Sequence, residues 1–175
     1  MLRAGQAEPI TSRCSDMWLR MSTVQDPSIR VGRPADLPAV LRLVENANLP
    51  TADLAKAREL TIWVLEVEGA LVGVIALERF GFDGLLRSLA VAPEFRNRGL
   101  GRVLVARLEK DASEHGVQRL VLLTETAEQF FKSIGYARIN RTEVIGPLQQ
   151  SAEFRTLCPV SAACMTKAIA APVAE

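Results

Sequence analysis

The sequence predicts an α/β (α+β) domain, a mixed central sheet of about six to seven strands with helices on both faces. Three observations carry that prediction. Residues 85–123 read as strand, helix, strand ("LLRSLAVAP", "RNRGLGRVLVARLEKDASEHG", "VQRLVLL"), and such a unit returns parallel through a crossover. "TIWVLEVEGALVGVIALERF" is two β-branched, apolar runs around "EGA", which reads as an antiparallel hairpin. Between these, Gly99 and Gly101 stand one residue apart at the head of the crossover helix, with Arg96, Arg98 and Arg102 around them.

In chain order, residues 1–28 lack sustained periodicity or a signal-peptide core and are expected to be a poorly ordered extension, with Met21 as a second candidate start. "SIRVGRP" reads as a short strand. "ADLPAVLRLVENANL" puts Leu37, Val40, Leu41, Val44 and Ala47 on one helical stripe, with Asp36 at its start. "PTADLAKAREL" restarts a helix with Thr51 as cap. After the hairpin, "GFDG" is a turn, and the next strand is closed by Pro93. Leu100, Val103, Leu104 and Leu108 give the crossover helix its spacing, and "VQRLVLLT" is the most apolar strand. "TAEQFFKSIGY" is a short helix ended by Gly135, the residue type that suits a left-handed position past a helix end. "ARINRTEV" and "SAACMTKAI" form a last antiparallel pair across a long loop, and residues 170–175 are a tail. One domain over residues 29–169 results.

The chain has 175 residues, 49% hydrophobic and 23% charged, with a formal charge of +1. Broad electrostatic binding to nucleic acid is therefore excluded, and any anion site must be local. Cys14, Cys158 and Cys164 show no CxxC spacing and read as reduced thiols of a cytosolic protein. A single histidine, His115, excludes a histidine-rich metal site. No apolar run reaches the roughly 18 residues of a membrane helix.

Glycines let the main chain approach a ligand closely, and a helix start offers unpaired N–H groups to an anion. A phosphate is the natural guest of this turn. It is neither a Walker A loop, since no Lys-Ser/Thr follows, nor a dinucleotide fingerprint, since a third glycine is absent. "LLRSLAVAPEFRNRGLGRVLVARLEK" resembles the acetyl-CoA-binding segment of the GNAT superfamily of N-acetyltransferases: Val91, Pro93, Arg96, Gly99 and Gly101 match its V-x-P and [QR]-x-x-G-x-[GA] pattern. "TAEQFFKSIGYARI" is similar to its A-x-x-F-Y-x-x-x-G-F segment through Ala127, Phe130, Gly135 and Tyr136.

The resemblance implies the GNAT fold, with a splayed parallel pair holding acetyl-CoA as cosubstrate and no metal. Leu89, Ala90 and Val91 would pair with the pantetheine arm through their main chain. Arg96, Asn97, Arg98, Gly99, Leu100, Gly101 and Arg102 would surround the pyrophosphate, and Thr124, Glu128 and Phe131 would lie near the thioester. The reaction is direct attack of a neutral amine, which needs a proton acceptor and often an acid for the thiolate. Glu78 and Glu125 are the candidate bases, each also readable as an exposed structural glutamate. Phe131 replaces the family's frequent tyrosine acid; the one tyrosine, Tyr136, reads as core.

Strand alternation puts Arg87 and Leu89 on one face, Leu86 and Ser88 on the other. Arg87 is expected either to hold an acceptor's anionic group or to pair with Glu78 or Glu94, with Ser88 placing a hydroxyl near the reacting amine. "LPTADL", "LLRSLAV" and "SAEFRTLCPVSAACM" resemble acetyltransferases of arsenic-resistance operons. That likeness implies a small amino-acid-like acceptor, Thr51 and Asp53 on its side, and Glu153 and Arg155 as further loop charges. Cys158 and Cys164 read as packed thiols. A protein N-terminal or lysine acetyltransferase and a non-catalytic coenzyme A sensor are the alternatives. The strand near "SAACMTKAI", read as a sheet edge, suggests a homodimer.

Overall fold

The computed structural model describes residues 27–52, 54 and 59–169. The extension, the tail, Asp53 and most of the second expected helix lie outside the described residues. The chain runs β1 (Ser28–Val31), α1 (Leu37–Asn46), β2 (Leu60–Val67), β3 (Ala70–Phe80), β4 (Asp83–Val91), α2 (Leu100–Glu114), β5 (Arg119–Thr124), α3 (Glu128–Lys132), β6 (Ala137–Ile139) and β7 (Ala163–Ala168). One seven-stranded sheet results, in the order β1-β2-β3-β4-β5-β7-β6. Every pair is antiparallel except β4 with β5, the crossover pair. No helix among the described residues is long and apolar enough to cross a membrane.

The two helical stripes cover opposite faces. Leu104 and Leu108 of α2 bury completely against Trp63, Leu65, Ile75 and Leu77, each contributing about 1.5–3 kcal/mol by burial. On the other face Val40 and Val44 of α1 pack on Val64, Val74 and Ala90. A third cluster joins Leu85 and Val121 to Val144 and Leu148 from the long β6–β7 connection. That connection holds a 3-10 turn at Pro147–Gln150 and one π turn at Glu153–Leu157.

Three expectations change. β7 lies between β5 and β6, so "SAACMTKAI" is interior and offers no edge to a second chain; the sheet ends at β1 and three-residue β6. β6 stops at Ile139, because Asn140 and Glu143 cap a 3-10 turn that takes the chain out of the ladder. The faces of β4 also exchange. Ala76 pairs with Arg87 but Val74 with Ala90, so β4 carries one extra residue there, and Ser88 adopts φ +56°. Past this bulge, Leu89 joins Leu86 on the α2 face, while Arg87 shares the α1 face with Ala90.

The short parallel pairing depends on Gly84. A Cβ there would stand 2.7 Å from Leu77 Cδ1 and 2.9 Å from Leu120 Cδ2. Gly84→Val is therefore expected to cost about 1–3 kcal/mol by overpacking, read as a lower urea midpoint; an unchanged midpoint would show that the three strands repack freely.

A candidate active site where the parallel strands part

β4 and β5 pair only from Asp83/Arg119 to Leu85/Val121. Beyond Leu85 both strands continue, β4 to Val91 and β5 to Thr124, without meeting. The bulge gives the reason: an extra residue bends and twists its strand. The gap is a cavity of about 280 Å³ walled by Leu86, Leu89 and Val91 on one side and Leu122, Leu123 and Thr124 on the other. Ala47 and Leu49, beyond the end of α1, form one lip; Thr126, Ala127 and Phe131 close the far end. Leu89, Val91, Arg96 and Ala127 also line a second space of about 510 Å³, so the two adjoin.

The second space lies over the glycine turn. Asn97 (φ +61°) and Gly99 (φ +78°) are both left-handed, the kind of turn in which successive N–H groups line a concavity. α2 begins at Leu100, and backbone bonds run from Arg102 N and Val103 N to Gly99 O. The N–H groups ahead of them stand at the positive end of the helix. A Cβ on Gly99 would meet nothing within 4 Å; open space faces the main chain there. The three arginines divide their work. Arg96 donates Nε–H to Val91 O at 3.0 Å and lines both spaces. Arg102 lines the larger space and reaches Ser133 Oγ at 2.8 Å. Arg98 places its guanidinium over the Phe95 ring, 5.2 Å from its centroid.

Just past the point of parting, Ser88 is 7% exposed and its Oγ is buried with no hydrogen-bond partner among the described residues, although the residue lines the gap. An orphaned buried hydroxyl on a strained residue is a costly arrangement. Arg87 is fully enclosed. Its Nη1 stands 3.2 Å from Glu78 Oε2 and its Nη2 3.0 Å from Glu153 Oε1. The pairing with Glu78 is one of the two readings the sequence left open; Glu94 takes no part in these pairs. The other oxygen of Glu153 accepts from Cys158 Sγ at 2.7 Å, and burial first, then Glu153, pushes that thiol up to about 12. Burial likewise raises Cys164 to about 11.

Other expected residues sit differently. Glu125 is exposed in the bend after β5 and lines neither space. Glu128 pairs with Lys132 at 2.8 Å and Arg138 at 3.2 Å, chiefly the former holding its carboxyl below the usual range, and lines neither space. Thr124 uses Oγ1 to accept from Ala127 N at 3.0 Å, which fixes the turn into α3. Thr51 is half-buried away from both spaces, and Arg155 is exposed. Tyr136 is 3% exposed beneath Phe131, ring centroids 5.3 Å apart, and burial raises its phenol far above the ordinary value. It does not reach the gap. Nine wall residues are not among the candidate site residues read from the sequence: Ala47, Leu49, Leu86, Phe95, Leu122, Leu123, Thr126, Ala127 and Phe130, of which Ala127 and Phe130 enter that reading only as part of the second motif. Ala127 and Phe130 stand three apart at the start of α3, a helical spacing that puts both on one face.

A polarisable electrophile in the gap would thus meet a free hydroxyl, an apolar wall and, farther out, an anion-binding turn. The same architecture occurs in known proteins. Residues 58–138 match the family model described as an acetyltransferase (GNAT) domain. An uncharacterized N-acetyltransferase of Chlorobaculum tepidum is 34% identical, the match covering 66% of this chain and 79% of that one. An amino-acid acetyltransferase of Mycobacterium tuberculosis is 33% identical over 67% of this chain and 72% of its own. A Mycobacterium tuberculosis protein solved in complex with CoA superposes with a TM-score of 0.69 and 27% identity, covering 82% of this chain and 99% of that one.

The bulge makes a direct test available. Ser88→Gly removes the left-handed strain and is expected to be neutral or to stabilise by up to about 1 kcal/mol. Ser88→Val, β-branched at the same φ, should cost at least about 2 kcal/mol. Equal effects of both in urea unfolding would contradict the strained bulge.

Proposed function

Because the chain belongs to the GNAT acetyltransferase family, we propose that it transfers acetyl from acetyl-CoA to the α-amine of a small amino-acid-like acceptor by direct attack. The observation that carries this is the parting of β4 from β5 beyond Leu85 and Val121, in a gap that adjoins the space over the glycine turn. Bound there, acetyl-CoA supplies an activated thioester carbonyl. The fit is good at both ends of the cleft. Main-chain groups of residues 97–101, with Arg96 and Arg102, would hold the pyrophosphate, since Gly99 leaves open space where a side chain would stand. Leu89, Ala90 and Val91 offer the pantetheine arm a strand edge that β5 does not use.

Ser88 lines the gap just past the point of parting, and its hydroxyl, which has no hydrogen-bond partner among the described residues, would serve as donor to the carbonyl oxygen or acceptor from the amine. Neither base candidate lines the two spaces: Glu125 is exposed, and Glu78 borders a separate cavity at the Phe82–Asp83 turn. Glu78 nevertheless pairs with Arg87, which does line the gap, and is therefore the group that would take the amine proton. Phe131 has no proton to give, so the thiolate leaves without a side-chain acid at that position. This feature favours one second reading, a protein that binds coenzyme A without transfer.

The finer acceptor reading is an amino acid with a second anionic group, of the glutamate-like kind acetylated in arsenic or herbicide resistance. An acceptor's anionic group at Arg87 would compete with Glu78 and Glu153, which already engage its two Nη atoms. The amino-acid acetyltransferase among the relatives supports the coarser class.

Thiol release from acetyl-CoA is expected with a free α-amino acid in a panel that includes phosphinothricin, arsinothricin, polyamines and short peptides. Tight coenzyme A binding with no turnover of any member would favour the binding-only reading, and turnover of peptides alone would replace the acceptor class. Gly99→Glu is expected to abolish coenzyme A binding in calorimetry, through bulk, charge and a strained φ; near-normal affinity would refute the placement of the pyrophosphate.

A further inference from the structure

The acceptor-facing side contains a device that neither the reaction nor the cofactor requires. The π turn Glu153–Leu157 projects from the β6–β7 connection over Arg87. A single such turn leaves its carbonyls without partners in the chain direction. Arg141 braces this turn and the chain just after it: Nη2 donates to Phe154 O at 2.6 Å and Nη1 to Pro159 O at 2.9 Å, with Nη2 also 3.4 Å from Glu153 O and Cys158 O. The same guanidinium lies over the Phe154 ring, 5.1 Å from its centroid. Cys158 N closes the turn on Glu153 O at 3.1 Å.

The brace fixes the backbone, and the thiol fixes the side chain. Glu153 is 6% exposed, its Oε2 taken by Cys158 and its Oε1 by Arg87. Arg87 thus stands between the carboxylates of Glu78 and Glu153 in one buried cluster. Buried clusters of this kind are seldom a cheap way to stabilise a core, so the role of this one lies in what it holds still. Arg87 borders the gap beside Ser88.

We propose that Glu153 is a positioning residue for the acceptor side: carried on a turn braced by Arg141 and pinned by the Cys158 thiol, it sets the plane of the Arg87 guanidinium at the edge of the cleft. Its kinetic consequences rest on the acceptor reading above; its geometry does not.

Two arms test it, and they separate the failure of this inference from the failure of that reading. In the first, the full chain is alkylated with iodoacetamide at pH 8 and followed peptide by peptide, with buried Cys164 as internal reference. Glu153 favours the protonated Cys158 thiol, and alkylation follows the thiolate fraction. Glu153→Gln is expected to speed Cys158 alkylation by about tenfold or more relative to Cys164; an unchanged ratio overturns the pinning. In the second, Glu153→Gln and Arg141→Met each raise the acceptor KM about tenfold and leave the acetyl-CoA KM within about twofold. The double variant is no worse than Glu153→Gln alone, because both act through one carboxylate. Additive losses, or equal rises in both KM values, overturn the positioning role. If no amino acid is turned over by the unaltered protein, the acceptor reading fails and the alkylation ratio alone decides whether Glu153 is pinned.

Discussion

An extra residue in the middle of β4 shapes the cleft and both of its walls. A strand that gains one residue against its neighbour bends, and here the neighbour is β3, to which β4 stays bonded on both sides of the bulge. The bend therefore appears on the free side, where β4 leaves β5 after three paired positions. Ser88 holds the left-handed conformation that makes this geometry, at a cost of about 1–2 kcal/mol for a residue with a Cβ. Leu89 is turned to the α2 face at the wall of the gap, and Arg87 stays on the opposite face, enclosed among carboxylates.

Two charge systems flank the gap and have opposite character. At the glycine turn the main chain and exposed arginines present positive charge to solvent, suited to an anion that arrives and leaves. Around Arg87 the charges are buried and mutually engaged, and they resist movement because breaking any one pair strands another. Under the proposed reaction, the first system would meet a cosubstrate exchanged each turnover and the second an acceptor that must be oriented.

Much of this was legible in the sequence because it depends on local chemistry. Gly99 and Gly101 ahead of an amphipathic helix announce an anion-binding turn whatever the rest of the chain does, and the run of β-branched residues around "EGA" announces its hairpin. The bulge was not legible: alternation along "LLRSLAV" has no mark for an inserted residue, and one insertion reverses every face beyond it. That is why Arg87 and Leu89 were expected together. The insertion of β7 between β5 and β6 has no local signal either, because order in a sheet is set by long-range packing, here of Leu148 and Val144 on Leu85 and Val121. The meeting of Glu78, Arg87 and Glu153 is non-local in the same way. The base candidate Glu125 lay at the right end of the right strand, but a bend past Thr124 puts it in solvent.

The parted edge of β4 and the turn after it are assigned here to hold coenzyme A through main-chain groups. Amide hydrogen exchange with and without coenzyme A tests that most directly. The account predicts slowed exchange at Leu89–Val91 and at residues 97–101, with β1 and β7 unaffected. Protection confined to other strands, or none at the glycine turn under saturating ligand, would contradict it.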